Sequence, residues 1–123
     1  MRSVDLQESD AYTIWHGSAT SSDHEIVLST IRQLYRDWSE EGAGERNACH
    51  QPVLQDLASE FASVHDKTSV RVLVPGAGLC RLVLNIAAAG YMTEGNEISC
   101  HQPLASHFFL SYKMNASHFQ LYP

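Results

Sequence analysis

The hydrophobic patterning of the chain is helical in its first half and strand-like from Val70 onward. Upstream, Val27, Ile31, Leu34, Tyr35 and Trp38 recur at i, i+4, i+7, i+8 and i+11, the stripe of an amphipathic helix. Ser29, Gln33, Arg36 and Glu40 fall on its polar side. Ser22-Asp23-His24-Glu25 precedes this stripe and predicts a capping box, with Ser22 at N-cap and Glu25 at N3. The helix is expected to fade in Ser39-Glu40-Glu41-Gly42-Ala43-Gly44, a loop with a solvated acidic edge. A second helix, in one piece or two, is predicted within Glu45–Val64. Pro52 suits its first turn, and Val53, Leu54, Leu57 and Phe61 form its buried stripe. Residues 1–21 set Ile14 and Trp15 in a Ser/Thr/Asp-rich background and read as a weakly ordered arm.

From Val70 the period changes. Val70–Val74 is a short β-branched run, expected to be a strand buried on both faces and stopped by Pro75. Gly76 and Gly78 allow a tight turn in which backbone approaches a ligand closely. Leu79, Leu82, Val83 and Ile86 resume helical spacing, and Gly90 is placed to end that helix. Tyr91–Asn96 suits a second strand, ending at Glu97. Pro103 then fits the first turn of a last helix, with Leu104, Ala105, Phe108, Phe109 and Tyr112 buried over a wide face. The reading is α/β, with N-terminal helices over 22–64 followed by a βαβα unit over 69–123.

At 123 residues the chain supports one modest core and not two independent domains. With only two confident strands, a doubly wound sheet is incomplete, so the chain is expected to be the N-terminal part of a larger domain. The net charge of −6 argues against a nucleic-acid partner. No membrane-spanning or secretory segment is evident, which makes a cytoplasmic compartment, or a nuclear one, the expectation. Oligomeric state is left open. Cys49, Cys80 and Cys100 lack paired spacing and are expected as reduced thiols. Asn115-Ala116-Ser117 matches a glycosylation acceptor by chance. No metal is expected either: Cys49-His50, Cys100-His101 and His107 show no ligand spacing.

The candidate chemistry lies in the strand–turn–helix–strand stretch. A glycine turn alone is equally a structural turn or a ligand loop. Glu97, about 20 residues on, favours a nucleoside, because an acid there is placed to accept hydrogen bonds from ribose hydroxyls. The dinucleotide pattern Gly-x-Gly-x-x-Gly fails at Arg81. The methyltransferase variant Gly-x-Gly-x-Gly fits better, with Cys80 at its last position. Cys80, at a helix start, is either a reactive thiol of lowered pKa or a buried inert one. Trp38 is expected in the core rather than on a ligand.

Arg71-Val-Leu-Val-Pro-Gly-Ala-Gly-Leu-Cys-Arg-Leu, Gly90-Tyr and Gly95-Asn-Glu-Ile-Ser resemble the cofactor-binding core of the carnosine N-methyltransferase family. Gln33-Leu-Tyr-Arg-Asp-Trp-Ser-Glu-Glu-Gly, Glu45-Arg-Asn-Ala-Cys and Leu104-Ala-Ser-His-Phe-Phe-Leu resemble its flanking helices. The resemblance runs from about Asp23 to Pro123. It implies a class I methyltransferase with a partial Rossmann-like fold, using S-adenosylmethionine to methylate an imidazole nitrogen of carnosine, or of related histidine peptides, to give anserine. It also implies that Gln33 and Arg36 reach the cofactor, that Gly76 and Gly78 line it, and that Glu97 holds its ribose. The family's dipeptide-binding residues lie farther along, so no catalytic residue is assigned. Cys80 in place of glycine is expected to weaken the site modestly. Two other readings stand beside this one: a truncated or degenerate inactive fragment, and a nucleotide-binding Rossmann module of another class.

Overall fold

The computed structural model describes residues 17–111. They form an α/β arrangement of four helices and a two-stranded parallel sheet, a partial Rossmann-like fold with an incomplete sheet. Helix α1 spans Ser21–Trp38 and α2 spans Ala43–Glu60. A 3₁₀ turn at Lys67–Ser69 leads into β1 (Arg71–Pro75), α3 (Arg81–Ala88), β2 (Met92–Asn96) and α4 (His101–Ser111). Ile14, Trp15, Tyr112 and Asn115 lie outside the described residues. No described helix is long and apolar enough to cross a membrane.

The start of α1 corrects the predicted cap. Thr20, not Ser22, is the N-cap, and Asp23 rather than Glu25 closes the box. The Thr20 hydroxyl accepts from the Asp23 N–H at 3.2 Å, and the Asp23 carboxylate accepts from the Thr20 N–H at 2.8 Å. Asp23 also accepts the Thr20 hydroxyl proton at 2.7 Å, which gives this pair a third bond.

Helix α2 is one piece, with Pro52 in its interior rather than its first turn. A proline there removes the bond to the carbonyl four residues back. Packing of α2 against α1 and α3 carries the helix through. Gly42, predicted as loop, is the N-cap of α2 and is buried where the two helices meet. The Arg46 guanidinium, also buried, donates to the carbonyls of Arg36 and Ser39 at 2.9 and 3.0 Å. It thereby satisfies carbonyls at the end of α1 that the helix leaves without partners.

β1 and β2 pair in parallel, Arg71 against Met92 through Pro75 against Asn96. The strand is not buried on both faces. Val72 and Val74 are half-buried, whereas Arg71, Leu73 and Pro75 are exposed, because the described helices cover only one face of the sheet. Helix α3 lies against β2, and Gly95 permits the contact: a Cβ there would sit 2.8 Å from both Ala77 Cβ and Val83 Cγ2. Helix α3 ends as predicted at Gly90, whose φ of 100° suits glycine. Gly90 N–H donates to Ala87 and Tyr91 N–H to Ile86, the paired bonds of a Schellman motif.

Among the described residues the buried apolar core is small: Leu34, Leu79, Ile86 and Tyr91, with only Leu79 and Ile86 fully enclosed. Tyr91 joins the two halves, its hydroxyl donating to the Leu57 carbonyl at 3.0 Å and its ring meeting Phe61 edge-on. Three predicted stripes are narrower than their patterns. Val27 is exposed near the start of α1, Val53 is exposed on α2, and on α4 Leu104 and Phe108 are 68% and 43% exposed. Ser106, bonded to the Gln102 carbonyl, and half-buried Phe109 take the inner side of α4.

Candidate methyl-donor site

The site forms where β1 runs into the glycine turn. Gly76 and Gly78 both hold positive φ, 61° and 54°, a conformation that side-chain-bearing residues rarely adopt. The turn is tied to the end of β2, with Ala77 N–H donating to the Asn96 carbonyl at 2.8 Å. Glu97, immediately after β2, completes the tie. One carboxylate oxygen accepts from the Gly78 N–H and the other from the Ser99 N–H, each at 2.9 Å. The Ser99 and Gly78 N–H groups hold the Glu97 carboxyl below the usual carboxylate range.

Helix α1 supplies the opposite wall. The Trp38 indole N–H donates to the Leu79 carbonyl at 3.3 Å and fixes the helix against the turn. Trp38 also stacks on Phe109, and the Arg81 guanidinium lies 5.0 Å above its ring. This residue is structural, as its place in the stripe predicts. The five residues singled out from the sequence, Gln33, Arg36, Gly76, Gly78 and Glu97, line one cavity of about 380 Å³. Gln33 bonds back to the Ser29 hydroxyl at 3.3 Å, and Arg36 grips Asp37.

Three further polar residues line the same cavity: Asp37, His50 and Gln102. Asp37 is buried and bonded to Arg36 at 2.7 and 3.3 Å. His50 lies 3.4 Å from the Asn85 side chain, and burial lowers its pKa. The Gln102 side-chain oxygen would lie 3.2 Å from a Cβ added at Gly78. The sequence did carry a signal for two of them. Asp37 interrupts the apolar stripe between Leu34 and Trp38, and His50 sits one helical turn before Leu54.

Cys80 ends the turn with φ 60° and ψ 16°, the left-handed conformation in which a Cβ is strained. Its N–H donates to the Ala77 carbonyl at 2.8 Å, closing the turn, and its thiol makes a long contact of 3.9 Å to the Gly78 carbonyl. The side chain does not line the cavity. Cys80→Gly is therefore expected to stabilise the chain, with relief of about 1–2 kcal/mol of strain partly offset by about 0.4–1 kcal/mol from a freer unfolded chain. A higher melting temperature checks this; a lower one refutes the strain. Cys49 and Cys100 are exposed, and the described residues hold no group of three or more metal-ligating side chains.

The arrangement suits an amino-acid nucleoside. Each Glu97 oxygen keeps acceptor capacity after its one backbone bond, enough for two vicinal hydroxyls. Arg36 offers the guanidinium fork that matches a carboxylate. The cavity volume lies in the range of small-molecule sites.

The family model for carnosine N-methyltransferase matches residues 14–123. The chain is 39% identical over 106 residues to carnosine N-methyltransferase of Mus musculus, covering 85% of this chain and 26% of that protein. It is 43% identical over 98 residues to the protein of that name from Schizosaccharomyces pombe, covering 79% of this chain and 26% of the relative. With carnosine N-methyltransferase unmet of Drosophila melanogaster it shares 41% identity over 96 residues, 77% of this chain and 21% of the relative. The chain spans about a quarter of the length of these curated relatives. On a match covering nearly all of its residues, the chain belongs to the carnosine N-methyltransferase family.

Proposed function

We propose that the cavity binds S-adenosylmethionine and that the protein is an N-methyltransferase acting on the imidazole of carnosine, with anserine as product. The observation that carries this reading is the meeting of Gln33, Arg36, Gly76, Gly78 and Glu97 at one cavity, together with family membership. When bound, S-adenosylmethionine supplies a methyl group on a sulfonium, open to in-line displacement. The residues then act by positioning. Glu97 takes the ribose hydroxyls, and Arg36 pairs the amino-acid carboxylate with Gln33 beside it. The bare backbone at Gly76 lets the ligand lie against the turn, since a Cβ there would meet nothing within 4 Å. Carnosine is proposed to be held by segments of the family's length that lie beyond this quarter.

Titration with S-adenosylmethionine and with NAD tests the cofactor. Binding of the first with no NAD binding is expected, and binding of NAD alone would overturn the reading in favour of a dinucleotide module. Methyl transfer to carnosine is expected only from a chain extended to the relatives' length. An extended chain that folds and binds S-adenosylmethionine but leaves carnosine unmethylated would refute the substrate.

A further inference from the structure

We propose that Asp37 is the positioning residue of this site: its buried carboxylate draws the Arg36 guanidinium off the outer face of α1 and holds it at the cavity. The proposal rests on reading that cavity as the S-adenosylmethionine site. Neighbouring residues on a helix point about 100° apart and do not face one another. Yet Arg36 Nε and Nη2 reach the two Asp37 oxygens at 2.7 and 3.3 Å, so the arginine bends sideways around its own helix.

The alternative location for Arg36 is close by. A more open groove of about 580 Å³ runs along α1, lined by Glu25, Arg32 and Glu45, and Arg36 borders it as well as the inner cavity. The Arg36 pKa is raised first by the hydrogen bond to Asp37, and Glu45 adds a smaller electrostatic attraction. The two sides differ in exposure. The Asp37 side chain is 9% exposed and that of Arg36 45%, so the pair is screened from solvent on its acidic side only, where a charge-assisted fork is strongest.

The stoichiometry of the fork fits a ligand-binding arginine. Five N–H donors less the two given to Asp37 leave three, and a carboxylate takes two. Asp37 itself is poorly suited to meet that carboxylate, since like charges repel. It acts through Arg36.

The test is a double-mutant cycle on S-adenosylmethionine affinity, measured by calorimetry on the wild type, D37N, R36A and the double variant. Loss of the fork is expected to raise Kd about tenfold in D37N, with D37E recovering part of it. In the R36A background, D37N is expected to add nothing. Effects that multiply across the two sites would overturn the proposal, because Asp37 would then touch the ligand or act through the fold at large. A Kd for D37N equal to the wild-type value would also overturn it. The Arg36 Nε–H proton gives a readout needing no variant to fold: slow solvent exchange before ligand is added is expected, and fast exchange would refute the clamp. A wild type that binds no S-adenosylmethionine overturns the cofactor reading, whereas unchanged binding in D37N overturns the positioning role alone.

Discussion

Replacing Glu97 with alanine is expected to weaken S-adenosylmethionine binding by about 100-fold or more. The carboxylate would take two ribose hydroxyls, and hydrogen bonds to a charged group contribute about 1.5–3 kcal/mol each. The same carboxylate also ties the Gly78 N–H to the Ser99 N–H, so its loss loosens the turn that faces the ligand. Glu97→Gln keeps the shape but turns an amide NH₂ toward one of those N–H groups; about a tenfold loss is expected from the neutral acceptor and the broken tie. Calorimetric titration separates the three proteins, and wild-type affinity in Glu97→Ala would remove Glu97 from the site.

Acid should reproduce part of this loss. The carboxyl is held below its usual range, so its contribution is complete above the unfolded value, about 4.3. It is lost as the pH falls through the lower folded value. The Gly78 amide resonance, followed against pH, is expected to move in that acidic window and to stay still above it.

Gly42→Ala is expected to cost about 3 kcal/mol or more of stability. Backbone conformation is not the obstacle, since φ −73° and ψ −5° suit alanine. The obstacle is space: a Cβ would lie 2.5 Å from the carbonyl oxygens of Tyr35 and Arg36 and 2.7 Å from Arg36 Cα. Those are backbone atoms of the last turn of α1. Tyr35 and Arg36 already accept bonds from Ser39 and Arg46, so relief requires α1 to shift and break them. Overpacking usually costs about 1–3 kcal/mol, and a backbone that cannot give lies at the upper end or beyond. Gly44→Ala is the control. Its Cβ would meet nothing within 4 Å, and alanine in a helix is expected to stabilise by about 0.5–1 kcal/mol. Chemical denaturation of the two variants tests the contrast; equal effects would show that the closeness of α1 and α2 does not matter.

Much of the site was legible because its parts are local. A β-branched run, two glycines, a helical stripe, Gly90 and an acid after the second strand each act within a few residues of themselves. Their order alone implies the parallel pair. The helices were less transparent where distant partners decide. Arg46, His50, Leu54 and Leu57 share one face of α2, and its two polar members face the end of α1 and the cavity. A hydrophobic pattern counts only the two leucines. Pro52 shows the opposite error: a local rule for helix starts gave way to packing on the other face of the same helix. Leu104 followed the right period, but period says which residues share a face and not whether a described element covers it.

The face of the strand pair that no described helix covers bears on how the chain behaves in concentrated solution. Leu73 and Met92 are exposed there, on strands whose outer edges pair with nothing among the described residues. Such edges template further strands and lead to aggregation. The same face carries Arg71 and Glu94, both well exposed and 3.8 Å apart. As an ion pair in water they add little stability. As gatekeepers they matter more, since a strand laid across that face must strip water from both charges. The longer and more exposed of the two described salt bridges thus serves the chain's colloidal stability.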